Sequence, residues 1–88
     1  MASYKIQWEA RAAGELRSID RVEAQRILKA VTRLQDNPEL GKQLRGRFKG
    51  FRRLRVGRYR VIYCRKKREL IILILRVAKR ADVYNHHA

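Results

Sequence analysis

The sequence is short of cysteine, histidine and long apolar runs, and each shortage excludes a class of protein or site. Cys64 is the only cysteine, so no disulfide can form within the chain and a disulfide-stapled secreted scaffold is excluded. The two histidines, His86 and His87, have no further histidine or cysteine at ligand spacing, so we expect no metal site and no cofactor. The apolar run from Leu70 to Leu75 is too short to span a membrane, and the N-terminus has no signal-peptide core. The sequence therefore predicts a cytoplasmic protein.

Acidic residues are also scarce, and positive charge dominates the chain. There are 8 acidic residues against 23 lysines and arginines, which gives a formal net charge of +15. Hydrophobic residues still make up 45% of the 88 residues, so we expect one folded domain over residues 1–88 and not a disordered basic tail. Such a charge favours polyanions, with nucleic acid as the first partner to consider and an acidic protein as the second. A membrane surface is the weakest candidate, because no helix combines a wide apolar face with a basic one.

The first half of the chain predicts a strand followed by two helices. Residues 4–8 alternate between apolar and polar side chains, which is typical of a strand. Residues 9–19 are rich in alanine, glutamate, arginine and leucine and predict a short helix. A second helix should begin at Asp20, where Glu23 completes the pattern of a capping box. Pro38 should end it, because the residue before a proline avoids the α region.

The second half predicts strands. Residues 44–46 indicate a short strand or a bend, and residues 65–68 form a basic turn. Residues 70–77 predict a strand that is apolar on both faces, so we expect it to be central and covered on both sides. Together with a hairpin over residues 51–63, the element order is β-α-α-β-β-β. This order predicts an α+β domain in which two N-terminal helices pack on one small, mainly antiparallel sheet.

The hairpin is the most informative segment of the chain. Gly57-Arg58 suits a two-residue type II′ turn, because a glycine stands at the first turn position. That turn sets the following pairs: Val56 opposite Tyr59, Arg55 opposite Arg60, Leu54 opposite Val61, and Arg53 opposite Ile62. Residues directly opposite each other share a face of the sheet. One face of the hairpin is therefore apolar and should join the core.

The other face of the hairpin brings Arg53, Arg55 and Arg60 together. Like charges placed directly opposite each other destabilise a sheet. A bound anion explains such a cluster most simply. The alternative is a solvated face in an arginine-rich chain.

Three segments resemble one known family: Leu44-Arg45-Gly46, the block from Arg53 to Tyr63, and the ending Lys79-Arg80-Ala81-Asp82-Val83-Tyr84. With the element order, they resemble the RelE/ParE superfamily, the toxin halves of bacterial and archaeal type II toxin–antitoxin pairs. The resemblance implies a RelE-like fold and a cognate RelB-like antitoxin as partner. Toxins of the RelE branch are ribonucleases that cut mRNA in the ribosomal A site. Toxins of the ParE branch poison DNA gyrase and are not known as nucleases.

The resemblance also implies a set of functional residues. The family's catalytic positions match Arg53, Arg55, Arg60, Arg80 and Tyr84. Arg52 is an alternative on the first hairpin strand if the alignment slips by one residue. The best-known RelE pattern has lysines on that strand, whereas an arginine cannot act as a proton carrier. The span from Arg80 to Tyr84 is also shorter than in that pattern.

Metal-free RNA cleavage defines what these side chains would do. The substrate's own 2′-OH attacks the adjacent phosphorus, the 5′-oxygen leaves, and a 2′,3′-cyclic phosphate remains. Arginine forks match phosphate oxygens, so the four arginines of the set would hold the negatively charged phosphorane. Tyr84 is the candidate base, or a platform on which a nucleobase stacks. An arginine or Lys79 is the candidate proton donor.

The sequence leaves several functions open. The leading hypothesis is a ribosome-dependent endoribonuclease that cleaves mRNA and inhibits translation, with the ribosome, mRNA and an antitoxin as partners. The first alternative is a ParE-like inhibitor of DNA gyrase without nuclease activity. A non-catalytic RNA-binding protein is the second, and a toxin that binds its antitoxin but no longer cuts is the third.

Overall fold

The computed structural model describes residues 3–79, which form a five-stranded sheet with two helices on one of its faces. The helices are α1 (Ala10–Arg17) and α2 (Arg21–Thr32), and α2 continues into a 3₁₀ turn at Arg33–Gln35. The strands are β1 (Lys5–Trp8), β2 (Lys42–Gln43), β3 (Arg52–Val56), β4 (Tyr59–Lys66) and β5 (Ile71–Lys79). The structure confirms the α+β fold and the packing of both helices on one mainly antiparallel sheet.

The helix α2 begins where its sequence predicts. The carboxylate of Asp20 caps the helix by accepting a hydrogen bond from the Val22 N–H at 3.2 Å. The Glu23 carboxylate instead forms an ion pair with Arg26, one turn further along the helix, at 3.7 Å. In a capping box it would bind the backbone N–H of Asp20. The side chains that α2 and its 3₁₀ extension bury in the core are Ile27, Val31 and Leu34. Their helical spacing is the reason that this segment packs as a helix.

The strands do not follow one another in chain order across the sheet. The order is β1-β5-β4-β3-β2, so β5 lies between β1 and β4. β5 runs parallel to β1 and antiparallel to β4, and the remaining neighbours are antiparallel. Between these two parallel strands, the chain passes through both helices and the other three strands. The parallel pair therefore ties the two ends of the described chain together.

A bulge interrupts the pairing of β4 with β5. Ile62 lies opposite Arg76, whereas the next residue of β4, Tyr63, lies opposite Ile74, so Leu75 is an extra residue without a partner in the ladder. The buried side chains of β5 consequently fall at Ile72, Ile74 and Val77. The bulge is what keeps Val77 in the core although strict alternation would turn it outward.

Two sequence-based expectations differ from the structure. Within residues 3–79 the helices cover only one face of β5, and Ile71, Leu73 and Leu75 on its other face are half-buried. We call this other face of the sheet the open face. Residues 44–46, for which a short strand or a bend was expected, do not form a strand: the short strand β2 lies just before them at Lys42–Gln43, and a 3₁₀ turn begins at Gly46. None of the helices in the described part of the chain is long and apolar enough to cross a membrane.

Candidate nucleic-acid interface

The hairpin has the register that its sequence predicts. The observed pairs are Arg52 with Tyr63, Arg53 with Ile62, Leu54 with Val61, Arg55 with Arg60, and Val56 with Tyr59. Gly57 has a φ of +60° while Arg58 does not adopt a positive φ, which is the pattern of a type II′ turn. The apolar face of the hairpin joins the core, where Tyr63 and Val61 are fully buried. The two faces of the hairpin are therefore fixed by the turn.

Three arginines share the open face of the hairpin, and we call them the cationic strip: Arg53, Arg55 and Arg60. Arg55 lies directly opposite Arg60, and Arg53 lies two residues along the same strand. The exposure of the three side chains differs. Arg55 is exposed and Arg53 is half-buried, whereas Arg60 is only 2% exposed. An anion can reach Arg55 and Arg53 directly in this conformation.

The burial of Arg60 is not evident from the sequence pattern. An alternating hairpin with one basic face predicts a solvated arginine at this position. The structure instead makes Arg60 the largest of the fully buried side chains. Contact between a phosphate and this guanidinium therefore requires that the groups around Arg60 move.

A fourth cation adjoins the strip and was missed from the sequence. Lys42 in β2 lies directly opposite Arg53, so the two side chains share the open face. The sequence does not reveal the position of Lys42, because β2 is only two residues long and lies before the Leu44-Arg45-Gly46 segment. Lys42, Arg53 and Arg55 also line a shallow pocket of about 450 Å³ at this edge of the sheet, together with Arg33 from the end of α2. The edge formed by β2 and β3 is thus lined with positive charge.

Arg52, the alternative site residue, has a structural position. It pairs with Tyr63, so it belongs to the helix-covered side of the hairpin, and its Nη1 donates a hydrogen bond to the Gly41 carbonyl at 2.7 Å. The Tyr63 hydroxyl accepts a hydrogen bond from the Gly41 N–H and donates one to the Pro38 carbonyl, both at 2.8 Å. Burial raises the pKa of the Tyr63 phenol, which keeps the donating proton in place. Arg52 and Tyr63 therefore hold the loop that leads into β2.

Lys79 and Cys64 do not complete a catalytic arrangement. Lys79 lies opposite Tyr59, so it shares the face of Tyr59 and not the face of the cationic strip. Cys64 is half-buried, and burial raises the pKa of its thiol, which disfavours the nucleophilic thiolate. Residues 3–79 contain no group of three histidine, cysteine, aspartate or glutamate side chains that could hold a metal ion.

An apolar groove lies on the open face beside the cationic strip. Its volume is about 420 Å³, and most of its lining is apolar: Ala10, Leu44, Phe48, Phe51, Ile62 and Leu75. Glu9, Arg11 and Arg76 complete the lining, so the N-terminal end of α1 borders the groove. Ile62 is the direct cross-strand neighbour of Arg53, so the groove and the strip adjoin each other. The open face therefore combines an apolar half with a cationic half.

Two of the sequence-predicted site residues, Arg80 and Tyr84, lie outside the described residues. Their roles therefore stay predictions. Of the five predicted residues, the structure brings Arg53, Arg55 and Arg60 onto one face.

Comparison with known proteins identifies relatives of this fold. The sequence profile of the family described as the ParE toxin of the type II toxin–antitoxin system parDE matches residues 6–84. A search of curated proteins by sequence found no significant match. The structure resembles the RelBE2 toxin–antitoxin complex of Mycobacterium tuberculosis with a TM-score of 0.81 and 26% identity, over 89% of this chain and 99% of that chain. It resembles the archaeal RelE–RelB complex of Pyrococcus horikoshii OT3 with a TM-score of 0.75 and 27% identity, over 89% of this chain and 96% of that one.

The fold is also shared with the other branch of these toxins. The chromosomal ParDE system of P. aeruginosa matches with a TM-score of 0.70 and 21% identity, over 88% of this chain and 96% of that chain. The family profile covers most of the sequence, from the second residue of β1 through both helices and the other four strands. The chain therefore belongs to the RelE/ParE superfamily of type II toxin–antitoxin toxins.

Proposed function

We propose that this toxin is a ribosome-dependent endoribonuclease that cleaves mRNA in the A site and so inhibits translation in the cytoplasm. The observation that carries the proposal is the pairing of Arg55 with Arg60 beside Arg53 on one face of the sheet. Like charges at this spacing repel one another, and a phosphate with its excess negative charge in the transition state relieves that repulsion. A toxin that contacts only a protein has no need of this arrangement.

The proposed chemistry divides between binding the phosphate and moving protons. The exposed Arg55 and the half-buried Arg53 bind the oxygens of the scissile phosphate, with Lys42 extending the positive surface along the RNA backbone. The 2′-OH attacks the phosphorus and the 5′-oxygen leaves, which produces a 2′,3′-cyclic phosphate. Arg60 joins the phosphate contacts once it is uncovered. Arg80 and Tyr84 stay candidates for a further phosphate contact and for the base.

Acid–base groups are sparse on the described open face, so positioning carries much of the rate. The strip contains arginines, which cannot release a proton at usable pH. Holding the 2′-OH in line with the leaving oxygen supplies several orders of magnitude in rate without any proton transfer. The ribosome would supply this positioning, and this is the reason that we propose ribosome-dependent cleavage.

We further propose that the antitoxin silences the toxin by covering the open face. The apolar groove and the cationic strip adjoin each other, so the complementary partner is a segment that carries both apolar and acidic side chains. With a net charge of +15 on the toxin, association should be fast at low salt and slower as salt is added. An antitoxin that covers the strip would also keep RNA from reaching it.

Gyrase inhibition is the second candidate, because the matching family profile is that of ParE toxins. A gyrase inhibitor acts by binding a protein and needs no phosphate contacts. The two candidates therefore differ in the product they leave, which is cut mRNA in one case and inhibited supercoiling in the other.

The test is primer extension on an mRNA in a defined translation reaction, with and without ribosomes. We expect cuts that require ribosomes and that fall by roughly 10²-fold in Arg55→Gln. Arg55 is exposed, so this substitution leaves the core intact. Arg58→Gln, at the exposed turn of the same hairpin, is the matched control and should keep activity.

Two results would contradict the nuclease proposal. One is cleavage that is unchanged in Arg55→Gln and in Arg60→Ala, each shown to be folded. The other is an absence of cuts with folded wild-type protein, after which a DNA supercoiling assay decides whether gyrase is the target.

A further inference from the structure

A basic loop projects between β2 and β3, and it has no role in the chemistry proposed above. It comprises residues 45–50, Arg45-Gly46-Arg47-Phe48-Lys49-Gly50, and every one of them is exposed. Three of the six residues are cations, and none is acidic. No carboxylate within residues 3–79 lies within 4.0 Å of these three cations, whereas other arginines of the described chain do have acidic partners. Their charge is thus available to a partner.

The loop is preorganised by its own backbone. The Leu44 N–H donates a hydrogen bond to the Phe51 carbonyl at 3.0 Å, which closes the base of the loop. Inside it, the Phe48 N–H donates to the Arg45 carbonyl and the Lys49 N–H donates to the Gly46 carbonyl. Gly46 and Gly50 adopt φ angles of +67° and +95°, which side chains disfavour, so glycines permit this tight shape. A closed loop loses little conformational freedom when it binds a ligand.

The aromatic ring at the tip of the loop is incompletely covered. Phe48 contributes to the lining of the apolar groove, yet 45% of the residue is exposed. Cations flank it on both sides in the sequence, at Arg47 and Lys49. An exposed aromatic ring among cations is the combination by which proteins bind single-stranded nucleic acid, since the ring stacks on bases and the cations bind phosphates.

The loop is continuous with the cationic strip. It follows Lys42 in β2 and leads directly into β3, which carries Arg53 and Arg55. Only a few residues of the protein separate the loop from the cations of β2 and β3. A single strand of RNA bound across the strip can therefore extend onto the loop.

We propose that the basic loop is a second RNA-binding site, in which the three cations bind backbone phosphates and Phe48 stacks on an unpaired base. RNA as the ligand rests on the proposed function, whereas the binding step is independent of cleavage. The loop adds affinity and orients the RNA, and the strip performs the chemistry.

The experiment measures binding of the full chain to a short fluorescent 2′-O-methyl oligouridine by anisotropy over a range of salt concentrations. This probe lacks the attacking 2′-OH, so it stays intact even when the protein is an active nuclease. Phe48→Leu keeps an apolar side chain against the groove but removes the ring face, and we expect affinity to fall by about fivefold or more. On a probe with the same backbone but no bases, Phe48→Leu should bind like the wild type.

The charges are tested by a pair of triple variants that each remove three cations. Arg45→Gln/Arg47→Gln/Lys49→Gln should lower the salt slope of binding by about 2, as expected for three lost phosphate contacts on a single strand. The control triple places glutamine at three exposed positions of α2, namely Arg21, Arg26 and Lys29. It should weaken binding by less than about threefold, because only long-range attraction is lost.

Three outcomes would overturn the proposal. They are wild-type affinity of Phe48→Leu for the base-containing probe, equal losses in the two triple variants, and loss of antitoxin binding with unchanged RNA binding in the loop triple. The last outcome would assign the loop to the antitoxin. Failure of the nuclease proposal is distinguishable from all three, because it would appear as loop-dependent RNA binding without cuts in the translation reaction.

Discussion

The Oε1 atom of Glu15 in α1 accepts a hydrogen bond from the backbone N–H of Val77 in β5 at 2.7 Å. Its other oxygen, Oε2, accepts a hydrogen bond from Nε of Arg76 at 2.9 Å. Both donors follow the bulge at Leu75, where the regular pairing of β4 with β5 is interrupted. A glutamate of α1 thus accepts hydrogen bonds from β5 immediately after the bulge, where the pairing of β5 with β4 shifts register.

We expect Glu15→Gln to destabilise the fold by about 1–2 kcal/mol, because hydrogen bonds to a charged acceptor contribute more than neutral ones. Chemical denaturation measures the free energy of unfolding. The control is Glu23→Gln, whose carboxylate has similar exposure but only a looser ion pair with Arg26 at 3.7 Å. That control should change the free energy of unfolding by less than about 0.5 kcal/mol. Equal effects of the two substitutions would mean that Glu15 does not support the bulge.

Gly41 has no room for a side chain, which gives the second prediction. A Cβ at this position would lie 2.7 Å from the Tyr63 hydroxyl and 2.8 Å from the Arg53 carbonyl oxygen. Gly41→Ala should therefore destabilise the fold by about 2 kcal/mol or more. The backbone around residue 41 must shift to make room for the Cβ, and this shift strains the hydrogen bond between the residue 41 N–H and the Tyr63 hydroxyl. Gly14→Ala in α1 is the control, since nothing lies within 4 Å of its added Cβ. It should stabilise by about 0.5–1 kcal/mol, and a loss of stability there would contradict this account.

Because the Tyr63 phenol is buried, we expect the stability of the fold to fall at alkaline pH. Burial is the largest influence and raises its pKa above 10.0, while the Gly41 hydrogen bond and the charge of Arg52 act in the opposite direction. Because the folded state holds the proton more tightly, this contribution to stability is complete below about pH 10 and is lost as pH rises through the folded pKa.

The measurement compares wild type with Tyr63→Phe across this pH range. Below about pH 10, the variant should be less stable by about 1–3 kcal/mol, since the buried Gly41 N–H and the partly buried Pro38 carbonyl lose their partner. Above that pH the difference should shrink as the wild-type phenol ionises. A difference that stays constant into strong alkali would refute the assignment.

Arg55 predicts a variant that gains stability while it loses activity. It lies directly opposite Arg60, so Arg55→Gln removes a like-charge contact and should stabilise the fold by about 0.2–1 kcal/mol at low salt. Added salt should abolish the gain, because Arg55 is exposed and its repulsion is screened. Thermal unfolding at two ionic strengths measures this effect. Arg58→Gln removes the same charge away from Arg60, and an equal gain in that variant would remove the basis of the prediction.

The hairpin shows how far sequence alone could go. Its register followed from one glycine, since Gly57 fixes the turn and the turn fixes every pair along both strands. The helix α2 followed in the same way from its cap at Asp20 and the spacing of its apolar side chains. Local chemistry decides such features, so they are visible in a short window of sequence.

Other features depend on residues far apart in the chain and could not be predicted. The burial of Arg60 and the position of Lys42 opposite Arg53 depend on tertiary packing. The alternation of apolar and polar residues in the sequence predicts neither of them. The bulge at Leu75 breaks the alternation of β5 without a glycine or proline to mark it. The pattern of the open face was therefore predicted on the hairpin but not across the whole sheet.

The position of β5 has a consequence for the cell that makes this protein. β1 is synthesised first but can pair with β5 only after residues 71–79 have left the ribosome, so a nascent chain holds an unfinished sheet for most of its synthesis. A fragment that stops before residue 71 lacks the strand that joins β1 to the hairpin. The order of the strands therefore delays completion of the sheet until the end of synthesis, and a truncated product should be degraded as an unfolded chain.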